Sequence, residues 1–137
     1  MASTIVPCLL YRDAPAMINW LCTVFGFNKK AVYMDGEKVA HAELTLGAGM
    51  LMIGSTPDAN SNQPWAGLIR QPDDIDFAET QSPSLQVDDP DAVYELVKKH
   101  GGSVVLDIED KDYGGRGFTC RDPEGHLWAV GSYNPWA

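Results

Sequence analysis

Basic residues are scarce in this chain. Ten lysines and arginines face nineteen aspartates and glutamates, for a formal net charge of −9 and a pI near 4.5. Nucleic acid and anionic lipid both demand basic patches, so neither is an expected partner. Long apolar runs are missing as well, since none approaches the roughly 20 residues that span a bilayer. Met1-Ala2-Ser3-Thr4 has neither the basic segment nor the apolar stretch of a secretory leader, which makes the cytoplasm the expected compartment. Cysteine is sparse: three residues, an odd number without a CxxC, which excludes a disulfide framework or a zinc ribbon. Cys8 and Cys120 fall on predicted strands and Cys22 on a predicted helix, and all three are expected to be buried, reduced thiols. Three histidines leave little imidazole for a metal.

What remains is the makeup of an ordinary soluble domain, 45% hydrophobic with a mean hydropathy of −0.19. At 137 residues the chain has room for one domain, or for two half-units sharing a core. Its order repeats. An apolar strand at 6–11 leads into a helix that Asp13-Ala14-Pro15 opens with a carboxylate cap and an early proline. Met17, Trp20, Leu21, Val24 and Phe25 recur at helical spacing before Gly26. Extended segments follow at 27–32 and 39–46, joined through Asp35-Gly36, and the apolar run 50–53 closes the half. The second half restates this order. A strand at 84–87 precedes a helix opened by Asp89-Pro90-Asp91 and stopped by Gly101-Gly102, with Val93, Leu96 and Val97 as its buried stripe. Strands at 104–108, 118–121 and 126–131 follow. Between the halves, 54–81 is too long for a simple connection; Trp65, Leu68 and Ile69 suggest that part of it packs or folds over a neighbouring subunit.

A duplicated β-α-β-β-β unit predicts an α+β fold. The organisation it implies is a single domain over 1–137, with one module at about 4–55, a linker at about 56–81 and a second module at about 82–137.

The glycine-rich segment Asp112-Tyr113-Gly114-Gly115-Arg116-Gly117-Phe118, followed by Asp122-Pro123-Glu124-Gly125-His126-Leu127-Trp128, resembles the second module of the glyoxalase/bleomycin-resistance/dioxygenase proteins, the vicinal oxygen chelate superfamily. The first half is similar to their first module through Tyr11-Arg12-Asp13 and Phe25-Gly26-Phe27. The resemblance implies two tandem βαβββ modules forming curved mixed sheets, a homodimer, and a ligand cleft in the hollow of the sheets. In metal-dependent members, four His, Gln or Glu ligands project from the first and last strands of the modules. An ungapped alignment puts Val6 or Pro7, Met52, Ser82 or Ser84, and Ala129 at those places, and a slip of one residue brings only Leu51, Ile53, Trp128 or Val130 on the apolar strands. None of these is a credible ligand, so no metal and no other cofactor is expected.

Five residues are candidates for ligand binding. Arg116 offers a fork of donors and Tyr113 a phenol at the mouth of the cleft, although Arg116 equally suits a structural pairing with an acidic side chain. Trp128 suits either a stacking surface in the cleft or the core, with Tyr11, Tyr133, Trp136 and Trp65 as further aromatic candidates. His41 and Glu43, two apart on a strand, face the same side. No catalytic residue stands out. One reading is a metal-independent binding protein of the bleomycin-resistance type that holds a small, aromatic, cationic ligand, favoured by the acidic balance. The other is a lyase, isomerase or dioxygenase of the glyoxalase type. It would use an atypical site built on His41, Glu43 and His126, or acid–base chemistry by Tyr113 or a Glu43 whose pKa burial has raised.

Overall fold

The computed structural model describes residues 3–137, which divide into two compact units, 3–71 and 72–137. Each unit is a β-α-β-β-β module, so the fold is α+β with two four-stranded mixed sheets.

The first unit contains β1 (Cys8–Tyr11), α1 (Ala14–Trp20), β2 (Asn28–Asp35), β3 (Lys38–Leu46) and β4 (Gly49–Ser55), in sheet order β1-β4-β3-β2. The β1–β4 pair is parallel, which requires a crossover, and α1 is its helical part. The Asp13 carboxylate accepts the Ala16 backbone N–H at 3.2 Å and opens α1. The helix then widens into a π turn, Leu21–Phe25, that ends on Gly26 at φ 86°. Met17, Leu21, Val24 and Phe25 are buried, as are Ala42, Leu44, Leu51 and Ile53 on the strands. Strand alternation therefore sends Cys8, Met52 and Glu43, which are neighbours across β1, β4 and β3, to the opposite, open face.

The second unit contains β5 (Ser84–Gln86), α2 (Pro90–Lys99), β6 (Ser103–Asp110), β7 (Arg116–Arg121) and β8 (Leu127–Gly131), in order β5-β8-β7-β6. Asp89 caps Ala92 at 3.1 Å, and Lys98 and Lys99 lie in the last turn of α2, where the helix dipole favours positive charge. Leu85, Phe118, Cys120, Trp128 and Val130 form the buried side of the sheet. Tyr94 of α2 meets Phe118 edge to face at 5.3 Å.

The turn between β7 and β8 is built around one carboxylate. Asp122, 3% exposed, accepts the backbone N–H groups of Glu124 and His126 at 3.0 Å each and the Trp128 Nε1–H at 3.0 Å. His126 is buried beside it, its Nδ1 3.8 Å from Glu79 Oε1. That arrangement agrees with a structural part for His126. The short 3₁₀ turn Pro72–Ile75 and the residues after it pack here too. Gly125, at φ 94°, leaves space that a side chain would fill, because the Phe77 ring lies 2.8 Å from where its Cβ would stand.

Three expectations change. Strand β7 begins at Arg116, two residues earlier than predicted, because Ser132 N–H bonds the Arg116 carbonyl at 2.9 Å and lengthens the ladder. Leu68 and Ile69 are exposed, Leu68 by 79%, and the contact made by this stretch is one the residue pattern did not single out, the half-exposed Phe77 ring against Gly125. Cys8 is exposed rather than buried, because its parity on β1 matches that of Met52 on the open face. Cys22 is partly covered and Cys120 fully buried. Burial, with the nearby Asp122 charge adding to it, pushes the Cys120 thiol up to about 12, so it stays neutral across the working pH range. In a disulfide-exchange assay of native protein at pH 8, Cys8 is expected to react promptly and Cys120 only after denaturant is added; rapid reaction of Cys120 in native protein would contradict its burial.

Candidate functional site

The open face of the second unit is a cavity of about 440 Å³, within the range that suits a small organic ligand. Its floor follows from strand register. Ser84 pairs with Ala129 and Thr119 pairs with Ala129, so these three lie in one row across β5, β8 and β7. Gln86, Gly131 and Gly117 form the next row. Two of that row's members have no side chain, so the cavity reaches the peptide backbone. The glycines are sterically required: a Cβ on Gly117 would stand 2.7 Å from the Val130 carbonyl oxygen, and one on Gly131 3.0 Å from that of Arg116.

Aromatic rings make the wall. Tyr113 and Tyr133 meet edge to face with centroids 5.0 Å apart. The turn before β7 brings them together through two positive-φ glycines, Gly114 at 118° and Gly115 at 73°. A side chain at Gly115 would strike the Tyr133 backbone N at 2.6 Å. Beyond Tyr133, the Asn134 side-chain oxygen accepts the Trp136 backbone N–H at 2.9 Å and turns the tail. Pro135 and Trp136 then complete the lining, with Trp136 still 91% exposed.

The cations that line the cavity are already engaged. Arg116 donates from Nε and Nη2 to Asp91 at 3.0–3.3 Å and from Nη1 to Asp110 at 3.3 Å. The Asp91 hydrogen bond pushes the Arg116 pKa further up, against a smaller opposing effect of desolvation. Lys111 Nζ lies 3.0 Å from Glu109.

Of the five candidate residues, Tyr113 and Arg116 come together on this cavity. Trp128 lies on the other face of β8, fully buried and bonded to Asp122, and does not line the cavity; alternation gives that place to its neighbour Ala129. His41 and Glu43 belong to β3 of the first unit. They share a face, as their spacing predicts, and His41 Nε2 lies 3.0 Å from Glu43 Oε2. Lys30 reaches the same carboxylate at 2.9 Å, and the Tyr33 ring stacks on His41. The Lys30 hydrogen bond, and then that of His41, hold Glu43 below the usual carboxylate range. The raised pKa that a Glu43 proton shuttle would use is therefore not what this environment produces. Ser84, Gln86, Thr119 and Lys111 line the cavity without having been singled out as ligand contacts. Parity with Ala129 along β5 and β7 would have found the first three.

A family model described as Glyoxalase/Bleomycin resistance protein/Dioxygenase superfamily matches residues 4–130. The chain belongs to this superfamily. Among solved structures, TioX from Micromonospora sp. ML1 is 27% identical, with a TM-score of 0.72 over 97% of this chain and 100% of that one. A bleomycin resistance determinant encoded on the transposon Tn5 is 19% identical, with a TM-score of 0.62 over 97% and 99%. A glyoxalase-related enzyme from Fulvimarina pelagi is 17% identical, with a TM-score of 0.61 over 98% and 90%. The last two show a shared fold. No curated protein gives a significant match.

Members of the superfamily with a metal hold it through strand residues, and the donor chemistry can be tested here. Met52 pairs with Cys8, and Ala129 pairs with Ser84. Of their four side chains, a thiol, a thioether, a hydroxyl and a methyl group, only the Cys8 thiol is a usual first-row metal donor. Among the described residues, no three His, Cys, Asp or Glu side chains gather as a metal would need.

Proposed function

We propose that this protein binds a small organic molecule in the open face of its second module, without the metal site of its metal-dependent relatives, and works as a cytoplasmic homodimer. The two modules belong to one vicinal-oxygen-chelate domain. The observation that carries the reading is the cavity itself. It has a backbone-deep floor, an aromatic wall and hydroxyl and amide groups on Ser84, Thr119 and Gln86 for orientation. A protein that holds its ligand needs shape and polar matching more than a poised acid or base. The two cations at the site are tied to carboxylates, as in a preformed wall.

The test fills the cavity from its floor. Ala129 faces the cavity, so Ala129→Leu adds bulk there and leaves the buried face of β8 unchanged. A ligand that binds only the folded state raises Tm. With an untagged protein and a small-molecule library, hits are expected to stabilise the parent chain, and Ala129→Leu to lower their affinity by about a hundredfold, of the order expected when bulk blocks a packed site. Elemental analysis of the same protein, grown with iron, nickel, manganese and zinc, is expected to find substoichiometric metal, and sedimentation a dimer. Hits that bind Ala129→Leu unchanged would remove the cavity from the reading, and one metal per chain would overturn its metal-independent part.

The glyoxalase-type alternative has one observation in its favour, the His41–Glu43 pair on the open face of the first sheet. A carboxylate that accepts from an imidazole orients that ring, and such a ring can serve as a base. Loss of a measured turnover in His41→Ala would be its signature.

A further inference from the structure

Two consecutive residues of the second unit take the left-handed backbone conformation that favours glycine: Asp76 has φ 55° and Phe77 φ 60°. Aspartate tolerates this region, but a bulky side chain there is strained and persists only where its surroundings hold it. Three contacts hold it here. The Phe77 N–H donates to the Pro72 carbonyl at 2.7 Å and closes the turn. The Phe77 ring lies against Gly125, with the Arg121 guanidinium carbon 5.7 Å from its centroid. Glu79 Oε1 accepts the Leu127 backbone N–H at 3.2 Å and lies 3.8 Å from His126 Nδ1. Residues 72–79 thus form a strap, clipped onto the turn between β7 and β8 at Phe77 and at Glu79.

The strap leads directly into the cavity wall. Only four residues separate Glu79 from β5, which has three residues and lies at the edge of its sheet. At its two ends the Ala129 N–H donates to the Pro83 carbonyl at 3.1 Å and the Val87 N–H to the Gly131 carbonyl at 2.8 Å. Of its side chains only Leu85 is buried, while Ser84 and Gln86 are exposed on the cavity. So short an element, anchored by one buried side chain, belongs to the low-stability end of a fold. We infer that 72–79 is a sprung strap that opens at Phe77 and Glu79 in one step and takes β5 with it, making the Ser84–Gln86 side of the cavity its movable wall. Strain at 76–77 favours release, and the two clips oppose it. Resting on the small-molecule reading above, a ligand that touches Ser84 or Gln86 selects the clipped state, and the strap sets how much of the protein is ready to bind.

Amide hydrogen exchange of the full chain, with no ligand added, reads both ends of this coupling: Leu127 reports the strap, and Val87 and Ala129 report β5. In low urea the three should share one protection factor, below that of Cys120 on β7, which is flanked by β6 and β8. They should also depend less on urea, because releasing the strap exposes less surface than unfolding. Asp76 is exposed, and Asp76→Gly lets its position turn left-handed freely. That variant should slow exchange at all three amides about threefold, less than a full left-handed penalty because aspartate tolerates the region. Phe77→Ala removes a clip and leaves its position strained, so it should speed the same three about tenfold, as expected when a half-covered ring loses its packing. Protection and urea slope equal to those of Cys120 would mean that the strap does not open on its own, and would overturn the inference. A response at Leu127 that Val87 and Ala129 do not follow would overturn the coupling to β5. Unchanged or faster exchange in Asp76→Gly would overturn the stored strain. The cavity reading stands or falls separately, on the library hits and their response to Ala129→Leu.

Discussion

Trp128→Ala is expected to cost about 4 kcal/mol of stability, read as a fall in the urea midpoint with little change in slope. Trp128 is the largest fully buried side chain among the described residues, and it lies on the buried face of β8 beside Cys120, its partner on β7. Its removal opens a cavity that the rigid ladder cannot collapse, and it also takes away the donor that reaches Asp122 Oδ2 at 3.0 Å. The loss is a large part of the 5–15 kcal/mol that a domain typically has. The effect should be on folding, because the residue lies behind the cavity rather than in it. Trp128→Phe keeps most of the volume and should retain much of the stability. If Trp128→Ala unfolds at the parent's urea midpoint, the packing described for this sheet is wrong.

Asp122→Ala is expected to cost about 3 kcal/mol, since two backbone N–H groups and an indole N–H lose one shared acceptor. The turn also has to hold Gly125 against Phe77 and Pro72, so its loosening should free the segment before β5. Hydrogen exchange checks this: faster exchange at Glu124 and His126 is expected in Asp122→Asn, which keeps one acceptor oxygen, and faster still in Asp122→Ala. The two sites share a bond, so their costs should not add. The double variant Asp122→Ala/Trp128→Phe should be less destabilised than the sum of its parents. Additive costs would mean that the indole and the carboxylate act independently.

Much of the fold could be read along the chain because local chemistry and tertiary fold agree. Asp13 and Asp89 each precede a proline within the first turn of a helix, and both cap as their residue type predicts. Gly26 and Gly101 take the left-handed conformation expected after a helix. The pairing of His41 with Glu43 followed from a spacing of two on a strand. Where the reading failed, the missing fact was a partner distant in sequence. The Phe77 ring lies against Gly125 while Leu68 is left open, and hydrophobicity is silent about which of them meets a distant partner. Arg116 suited a ligand or an ion pair equally well until Asp91, twenty-five residues away, was seen beside it.

The candidate site divides in the same way. Tyr113, Arg116 and the aromatic tail could be singled out from residue type and the resemblance, whereas Trp128 and Ala129 could be separated only by knowing which face of the sheet meets α2. Adjacent strand residues point to opposite faces, so an error of one position exchanges core for cavity. The sequence by itself determined the repeated module, the helix caps, the family, and the placing of the net negative charge in the second half, because these depend on residue type and near neighbours. Only the tertiary structure decided that two glycines lie side by side beneath a cavity, that its cations are spoken for, and that Trp136 stands open at its mouth. Those features arise from strand register and from contacts closed across long stretches of chain, which no local pattern encodes.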